Sequence, residues 1–130
     1  MAHRPRLLIV DDDRSTATLL GLMLDEDGFE TEVELDGAAA LVRLLQEPGF
    51  DAVITDFHVP GADGIAIATC ARGTRTEMPV FVLTGDPSAV EVANASRPDP
   101  VEVVAKPIDY RQLVRQLQEA VGLEKPPRDT

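Results

Sequence analysis

Polar residues stand where four apolar, strand-like runs of the sequence end, and their side chains could together carry out phosphoryl chemistry. These residues are Asp11, Asp12, Asp56, Thr84 and Lys106. Two carboxylates can hold a divalent cation, and a third carboxylate can attack phosphorus. A hydroxyl and an ammonium can offset the charge on the phosphoryl oxygens. The set suits phosphoryl transfer, because catalysis of that reaction consists mainly of positioning and charge neutralisation.

Asp56 is the candidate for the reacting group. It closes the apolar run 52–55 and precedes the turn residues Pro60 and Gly61. Ligand sites of α/β proteins lie beyond the carboxyl ends of parallel strands, where the sheet holds loop side chains in place. The Asp56 carboxylate would attack phosphorus and form an acyl phosphate.

The three adjacent aspartates at 11–13 allow two interpretations. In one, they form a solvated turn in which Asp13, or nearby Ser15, caps the following helix. In the other, they bind a divalent metal such as Mg²⁺ or Mn²⁺, which takes oxygen ligands and offsets their clustered charge. The residue pattern by itself leaves both open.

Hydrophobic periodicity predicts an α/β fold in which five strands alternate with five helices. The predicted strands cover residues 7–10, 31–35, 52–56, 79–83 and 101–105, and the predicted helices 15–27, 38–45, 64–72, 88–96 and roughly 109–121. Strand two alternates charged and apolar residues, so it is expected near a sheet edge. Right-handed connections bring the carboxyl ends of parallel strands to one edge, where the five polar residues can meet.

Composition excludes several classes of function. Acidic residues outnumber basic ones by 23 to 12, so direct binding to nucleic acid or to an anionic membrane is not expected. The single Cys70 excludes an internal disulfide, and no signal sequence or membrane span is recognised. We therefore expect a cytoplasmic domain over residues 7–121, with an N-terminal extension at 1–6 and a disordered tail or linker at 122–130.

The strand-end motifs resemble those of the receiver domains of bacterial two-component response regulators. The matching segments are Leu8-Ile9-Val10-Asp11-Asp12, Thr55-Asp56 through Pro60 and Asp63-Gly64, Leu83-Thr84-Gly85, and Lys106-Pro107. The resemblance covers residues 5–121 and is specific, because four weak motifs occur in order at suitable spacings. It implies a flavodoxin-like (CheY-like), doubly wound sheet of five parallel strands in the order 2-1-3-4-5.

The resemblance also implies roles and partners. Asp12 and Asp56 would ligate Mg²⁺, with Asp11 contributing directly or through water and the backbone carbonyl of His58 as a further ligand. The phosphoryl donor would be a histidine kinase or a histidine phosphotransfer protein. The Lys106–Pro107 peptide would be cis. A downstream protein would bind the face formed by helix four, strand five and helix five, and the domain would not turn over an external substrate.

Two positions depart from the family pattern. Three residues before the lysine, where the family usually has Tyr or Phe as a rotamer switch, the chain has Val103, which cannot swing a ring between exposed and buried positions. Signalling would then pass through Thr84 and the backbone, or another group such as Tyr110 would report phosphorylation. The second departure, Pro98-Asp99-Pro100, is expected to stiffen the partner face.

His58 and Asp86, each two residues beyond a site residue, are expected to tune dephosphorylation. His58 is either an exposed loop side chain whose carbonyl alone binds metal, or its imidazole blocks or orients the hydrolytic water.

The sequence leaves two alternatives to a phosphoryl-accepting receiver open. A phosphatase resembling the haloacid dehalogenase superfamily would need a second acid two residues after the nucleophile, where this chain has His58, and its metal-binding acids would come last in the sequence. A degenerate receiver would act as a constitutive binding module. Dimerisation, the output and the cognate kinase stay open at this stage.

Overall fold

The computed structural model of the chain describes residues 4–95, 97 and 100–122. The predicted end of helix four at Ser96, the Pro98-Asp99 pair and the tail beyond Gly122 lie outside these residues. Expectations about them stay predictions.

Within the described residues, five long strands alternate with five helices. The long strands are β1 Arg6–Val10, β2 Glu30–Glu34, β3 Ala52–Asp56, β6 Val80–Thr84 and β7 Glu102–Ala105. The short strands β4 His58–Val59 and β5 Ala62–Asp63 form a separate antiparallel pair. The helices are α1 Arg14–Glu26, α2 Gly37–Leu44, α3 Gly64–Thr74, α4 Pro87–Ala95 and α5 Tyr110–Val121.

The long strands form one parallel sheet in the order β2-β1-β3-β6-β7. This is the flavodoxin-like order 2-1-3-4-5 that the resemblance implied, so the prediction of the fold class is confirmed. The edge position of β2 is confirmed as well. The order places β3, which ends in Asp56, at the centre of the sheet between β1 and β6.

Side chains of each central strand alternate between two cores, one on each face of the sheet. In β1, Leu8 and Val10 pack with α2, α3 and α4, whereas Leu7 and Ile9 pack with α1 and α5. The same alternation runs through β3 and β6. Successive residues of a strand point to opposite faces, so continuous apolar runs are what a doubly covered sheet requires.

Aspartates begin most of the helices. The N-cap side chains of α1, α2, α3 and α5 each accept a hydrogen bond from a backbone N–H of the first turn, and these residues are Asp13, Asp36, Asp63 and Asp109. Such a bond satisfies a donor that the helix itself cannot pair. The predicted cap at Asp13 is therefore confirmed, and it leaves Asp11 and Asp12 available for another role.

Several details differ from the sequence-based expectation. Helix α3 continues through Gly73 to Thr74, two residues past the predicted range 64–72. A helical glycine whose neighbourhood is open, as at Gly73, costs stability but does not end a helix. Helical periodicity alone also does not predict burial of each residue: Leu19, Val42, Leu45 and Ala120 are exposed, while the polar Gln118 is buried.

The antiparallel pair β4–β5 is not predicted by the sequence pattern. It occupies the segment between Asp56 and α3, where the pattern indicates only the turn residues Pro60 and Gly61. Gly61, with φ of 91°, sits at its tip after Pro60, an arrangement typical of a type II turn. We call residues 58–63 the acceptor hairpin.

Candidate functional site

The parallel register brings the predicted site residues to one edge of the sheet. Val10 pairs with Thr55, Asp56 with Leu83, and Thr84 with Ala105. The residues at the ends of neighbouring strands, and those just after them, therefore lie side by side. The resulting site contains Asp11, Asp12, Asp56, Thr84 and Lys106.

Three carboxylates form the centre of this site. One oxygen each of Asp11, Asp12 and Asp56 lies within 4.8 Å of the other two. Asp11 and Asp56 are buried and Asp12 is exposed. The turn after β1 is held by the backbone N–H of Asp13, which donates to Asp11 Oδ1 at 2.9 Å. The site is therefore negative, partly enclosed and open on the side of Asp12.

Crowding of these groups changes the acidity of Asp11. Burial, together with the nearby Asp56 carboxylate, raises the pKa of Asp11 to about 6, although the N–H of Asp13 acts in the opposite direction. A buried carboxylate beside a second one is costly to ionise unless a positive partner is present.

Lys106 supplies one positive partner. Its Nζ lies 2.8 Å from Asp56 Oδ1. The contact is an ion pair without good hydrogen-bond geometry, because no donor among the described residues meets that geometry at this buried oxygen. The Lys106–Pro107 peptide that follows is cis, as the resemblance implied.

The donor set fits a hard divalent cation. The three clustered groups are all carboxylates, and the buried Oδ1 of Asp56 has no hydrogen-bond donor among the described residues. Mg²⁺ and Mn²⁺ take oxygen ligands of this kind and tolerate one or two protein carboxylates with water completing the shell. The residues present thus fit the metal that the resemblance implied.

Thr84 is buried beside this pocket at the end of β6. Its Oγ1 accepts a hydrogen bond from the N–H of Asp86 at 2.9 Å, and its carbonyl accepts one from the N–H of Lys106 at 2.8 Å. A threonine hydroxyl that accepts one bond can still donate its own hydrogen. Thr84 is therefore held in place with a donor that can serve a phosphoryl oxygen.

His58 and Asp86 are both exposed, two positions after Asp56 and Thr84. The His58 side chain is exposed on the acceptor hairpin, and its ring meets that of Phe57 edge-on with centroids 4.6 Å apart. The Asp86 carboxylate accepts a hydrogen bond from the N–H of Ala89 at 3.3 Å, in the first turn of α4. Nothing in these contacts tests an effect on dephosphorylation, so both roles stay predictions.

Tyr110 does not occupy the place of the missing aromatic switch. Val103 is half-buried against the core shared with α4, whereas Tyr110 packs on the opposite face of the sheet, between α5 and α1. The Tyr110 hydroxyl donates to Asp27 Oδ2 at 2.6 Å. The position of Tyr110 therefore gives no support to its role as a substitute for the residue at 103. No sequence signal could have found the pairing with Asp27, because 83 positions separate the two residues.

None of the helices among residues 4–95, 97 and 100–122 is long and apolar enough to cross a membrane.

Comparison with known proteins identifies the family. The sequence profile described as "Response regulator receiver domain" matches residues 7–118. The chain is 31% identical over 130 residues to the transcriptional regulatory protein GlrR of Escherichia coli (strain K12), covering 99% of this chain and 29% of that protein. It is 33% identical over 115 residues to the DNA-binding response regulator MtrA of Mycolicibacterium smegmatis, covering 88% of this chain and 50% of that protein.

A solved structure gives the same result. The response regulator receiver protein from Sinorhizobium medicae WSM419 superposes with a TM-score of 0.81 at 26% identity, over 92% of this chain and 96% of that one. The chain spans half or less of the length of the two curated relatives it matches. The acidic pocket, the strand order and these matches agree, and the chain belongs to the receiver domain family of two-component response regulators.

Proposed function

We propose that this receiver domain accepts a phosphoryl group from a phosphohistidine donor onto Asp56, and that the resulting acyl phosphate is the signal. One observation carries the proposal: the Nζ of Lys106 lies 2.8 Å from Asp56 Oδ1, in a pocket where two further carboxylates come within 4.8 Å. Phosphorylation-dependent signalling is the function of the family. The particular roles of these residues are our assignment.

The chemistry follows from the positions of the groups. An oxygen of the Asp56 carboxylate attacks phosphorus, and the P–N bond to the donor imidazole breaks. The departing imidazole nitrogen takes up a proton. The Lys106 ammonium and the Thr84 hydroxyl offset the charge on the phosphoryl oxygens.

Asp11, Asp12 and Asp56 would hold Mg²⁺, with the backbone carbonyl of His58 as a further ligand. When bound, the metal neutralises oxygen charge and aligns the reacting groups. Mn²⁺ would serve in the same way. The carboxylates keep their spacing because β1 and β3 are neighbours in the sheet.

Receiver domains interact with histidine kinases and with downstream effectors, and they are signalling domains rather than enzymes that turn over a substrate. For this chain we propose a histidine kinase or histidine phosphotransfer protein as donor and a protein bound at the face of α4, β7 and α5 as target. Assistance of its own phosphorylation and dephosphorylation is part of the proposal. The cytoplasmic location and the question of a homodimer stay predictions.

A link to nucleic acid would run through other parts of a longer protein. MtrA is named as DNA-binding, but this chain matches only half of it. Direct binding of nucleic acid by this chain is opposed by its formal net charge of −11. We therefore keep the proposal that this domain does not itself contact nucleic acid.

The proposal is tested by intact mass spectrometry after incubation with acetyl phosphate, with and without Mg²⁺. The wild type is expected to gain one phosphoryl group only with Mg²⁺, and Asp56→Asn is expected to gain none. Asp36→Asn is the matched control, because it removes one carboxylate at the N-cap of α2 and keeps a good capping residue. It should be modified like the wild type.

Other outcomes would point to the alternatives. Uptake that survives Asp56→Asn would refute the assignment of the acceptor. A folded wild type that takes up nothing would favour a constitutive binding module. Turnover of a phosphomonoester would favour a phosphatase, although nothing in the fold or in the matches supports one.

A further inference from the structure

Hydrogen bonds hold the segment 106–110, which begins with Lys106, at both of its ends. At its start, the N–H of Lys106 donates to the carbonyl of Thr84 at 2.8 Å. At its end, the Tyr110 hydroxyl donates to Asp27 Oδ2 at 2.6 Å. Asp27 is the C-cap of α1, so this second bond joins the start of α5 to the end of α1.

Packing leaves a space beside this segment. A cleft of about 210 Å³ lies between α1 and the segment, and Lys106, Ile108 and Tyr110 all line it together with Asp11. Ile108 is only partly buried against the core on this face. Side chains that line such a space lose packing contacts on that side, so hydrogen bonds contribute more to holding the segment in place.

The bond between Tyr110 and Asp27 is of a strong kind. A hydroxyl that donates to a carboxylate is charge-assisted, and such bonds are stronger than hydrogen bonds between neutral groups. Tyr110 is half-buried, which limits competition by water. Burial and the neighbouring Asp27 raise the pKa of Tyr110, so its hydroxyl keeps its proton.

We propose that Tyr110 and Asp27 are positioning residues, whose hydrogen bond holds Lys106 at the acceptor Asp56. The inference rests on the proposed function. Lys106 contributes by placing its ammonium where the phosphoryl oxygens will be. Loss of the hydrogen bond at Tyr110 lets the segment move and so weakens the contact of the ammonium with those oxygens. The role belongs to residues that the family motifs do not include.

The test measures binding of beryllofluoride, a non-covalent mimic of the phosphoryl group, by ¹⁹F NMR titration in saturating Mg²⁺. Tyr110→Phe keeps the ring in the core and removes only the donor. We expect it to weaken binding about three- to tenfold, in the lower range of coupling energies between groups that act through one another. Asp27→Ala should give a similar loss.

Thr31→Val is the matched control. The Thr31 hydroxyl donates to Asp25 Oδ1 at 2.8 Å, so this variant also removes a hydroxyl-to-carboxylate bond onto α1, but from β2. A merely structural effect of loosening α1 would appear in both variants. We expect Thr31→Val to bind beryllofluoride like the wild type.

A double-mutant cycle shows whether Tyr110 acts through Lys106. In the Lys106→Ala background, Tyr110→Phe should cause no further loss of affinity. The inference is overturned if Tyr110→Phe binds like the wild type, if Thr31→Val loses as much, or if Tyr110→Phe weakens binding equally in both backgrounds.

Failure of the proposed function gives a different pattern. If the wild type does not bind beryllofluoride, or if Asp56→Asn binds it as well as the wild type, the assignment of Asp56 fails and the inference fails with it. If the wild type binds and Asp56→Asn does not, the assignment stands, and the variants at 110 and 27 decide the inference alone.

Discussion

At the scale of single residues, the site concentrates charge that the fold by itself does not neutralise. Asp11 and Asp56 are buried at 6% and 8% exposure, and Lys106 is the cation in contact with Asp56 among the described residues. Like charges in a partly enclosed pocket oppose folding, and a ligand that binds only the folded state offsets this. The carboxylates that favour metal binding therefore make the unliganded domain less stable.

Repulsion among these carboxylates predicts that Mg²⁺ stabilises the folded domain and that this stabilisation depends on Asp12. At a concentration of Mg²⁺ ten times its Kd, the free energy of unfolding of the wild type should rise by about 1.4 kcal/mol. Asp12→Asn should lose most of that gain, because one ligand charge is removed. Urea denaturation with MgCl₂ and with EDTA measures both values.

Asp36→Asn again serves as the control and should keep the full gain. If Asp12→Asn were stabilised by Mg²⁺ as much as the wild type, Asp12 would not be a ligand. Without Mg²⁺, Asp12→Asn is expected to be at least as stable as the wild type, because one repulsive charge is gone.

At the scale of elements, the acceptor hairpin is fixed against the first turn of α2. The N–H of Gly37 donates to the carbonyl of Pro60 at 2.6 Å. A Cβ on Gly37 would lie 2.6 Å from the backbone N of Ala62, and one on Gly61 would lie 2.9 Å from the N of Ala38. Two glycines thus allow a close approach of backbones, which ties the segment after Asp56 to α2.

Gly37→Ala should therefore destabilise the domain by about 1–3 kcal/mol, because backbone atoms must move to admit the new methyl group. Gly73→Ala is the matched substitution, since Gly73 lies in α3 with open space around it. It should stabilise the domain by about 0.5–1 kcal/mol through lower entropy of the unfolded chain.

Urea denaturation at equal protein concentration compares the two variants with the wild type. Equal stability of Gly37→Ala and the wild type would show that the hairpin is not held against α2 in solution. Both variants replace glycine by alanine, but we expect opposite changes in the free energy of unfolding. The comparison therefore separates the effect of the close backbone contact at Gly37 from the effect of alanine itself.

At the scale of the whole molecule, charge is unevenly balanced. The formal net charge is −11 at pH 7 in a chain of 130 residues. Two arginines offset part of it locally: Arg6, at the start of β1, pairs with Glu30 and Glu32, and Arg43, in the last turn of α2, also pairs with Glu32. The excess of acidic groups nevertheless predicts net repulsion within the folded domain.

Added NaCl should therefore stabilise the domain at pH 7 without Mg²⁺, because screening weakens repulsion among the many exposed carboxylates more than it weakens the few ion pairs. The midpoint of urea denaturation should rise between low salt and about 0.2 M NaCl, where the Debye length is below about 8 Å. A falling midpoint would mean that the ion pairs outweigh the repulsion. Choline chloride, a salt of a bulky cation, controls for specific binding of Na⁺ in the acidic pocket.

Local sequence rules predict where the strands lie and where the first helix begins. Alternation of side chains along a strand and the cap at Asp13 depend on neighbours within a few positions, so they can be predicted locally. These rules also placed Asp56, Thr84 and Lys106 at one edge. The order of the strands came from the resemblance and not from the local pattern.

The contacts that these residues make could not be predicted from the sequence. The ion pair of Lys106 with Asp56, the bond of Tyr110 to Asp27, and the docking of the acceptor hairpin on α2 join segments far apart in the chain. Such contacts depend on how whole helices pack on the sheet. Packing likewise decided that Leu19 is exposed and Gln118 buried, because a helical period gives the direction of a face but not its width.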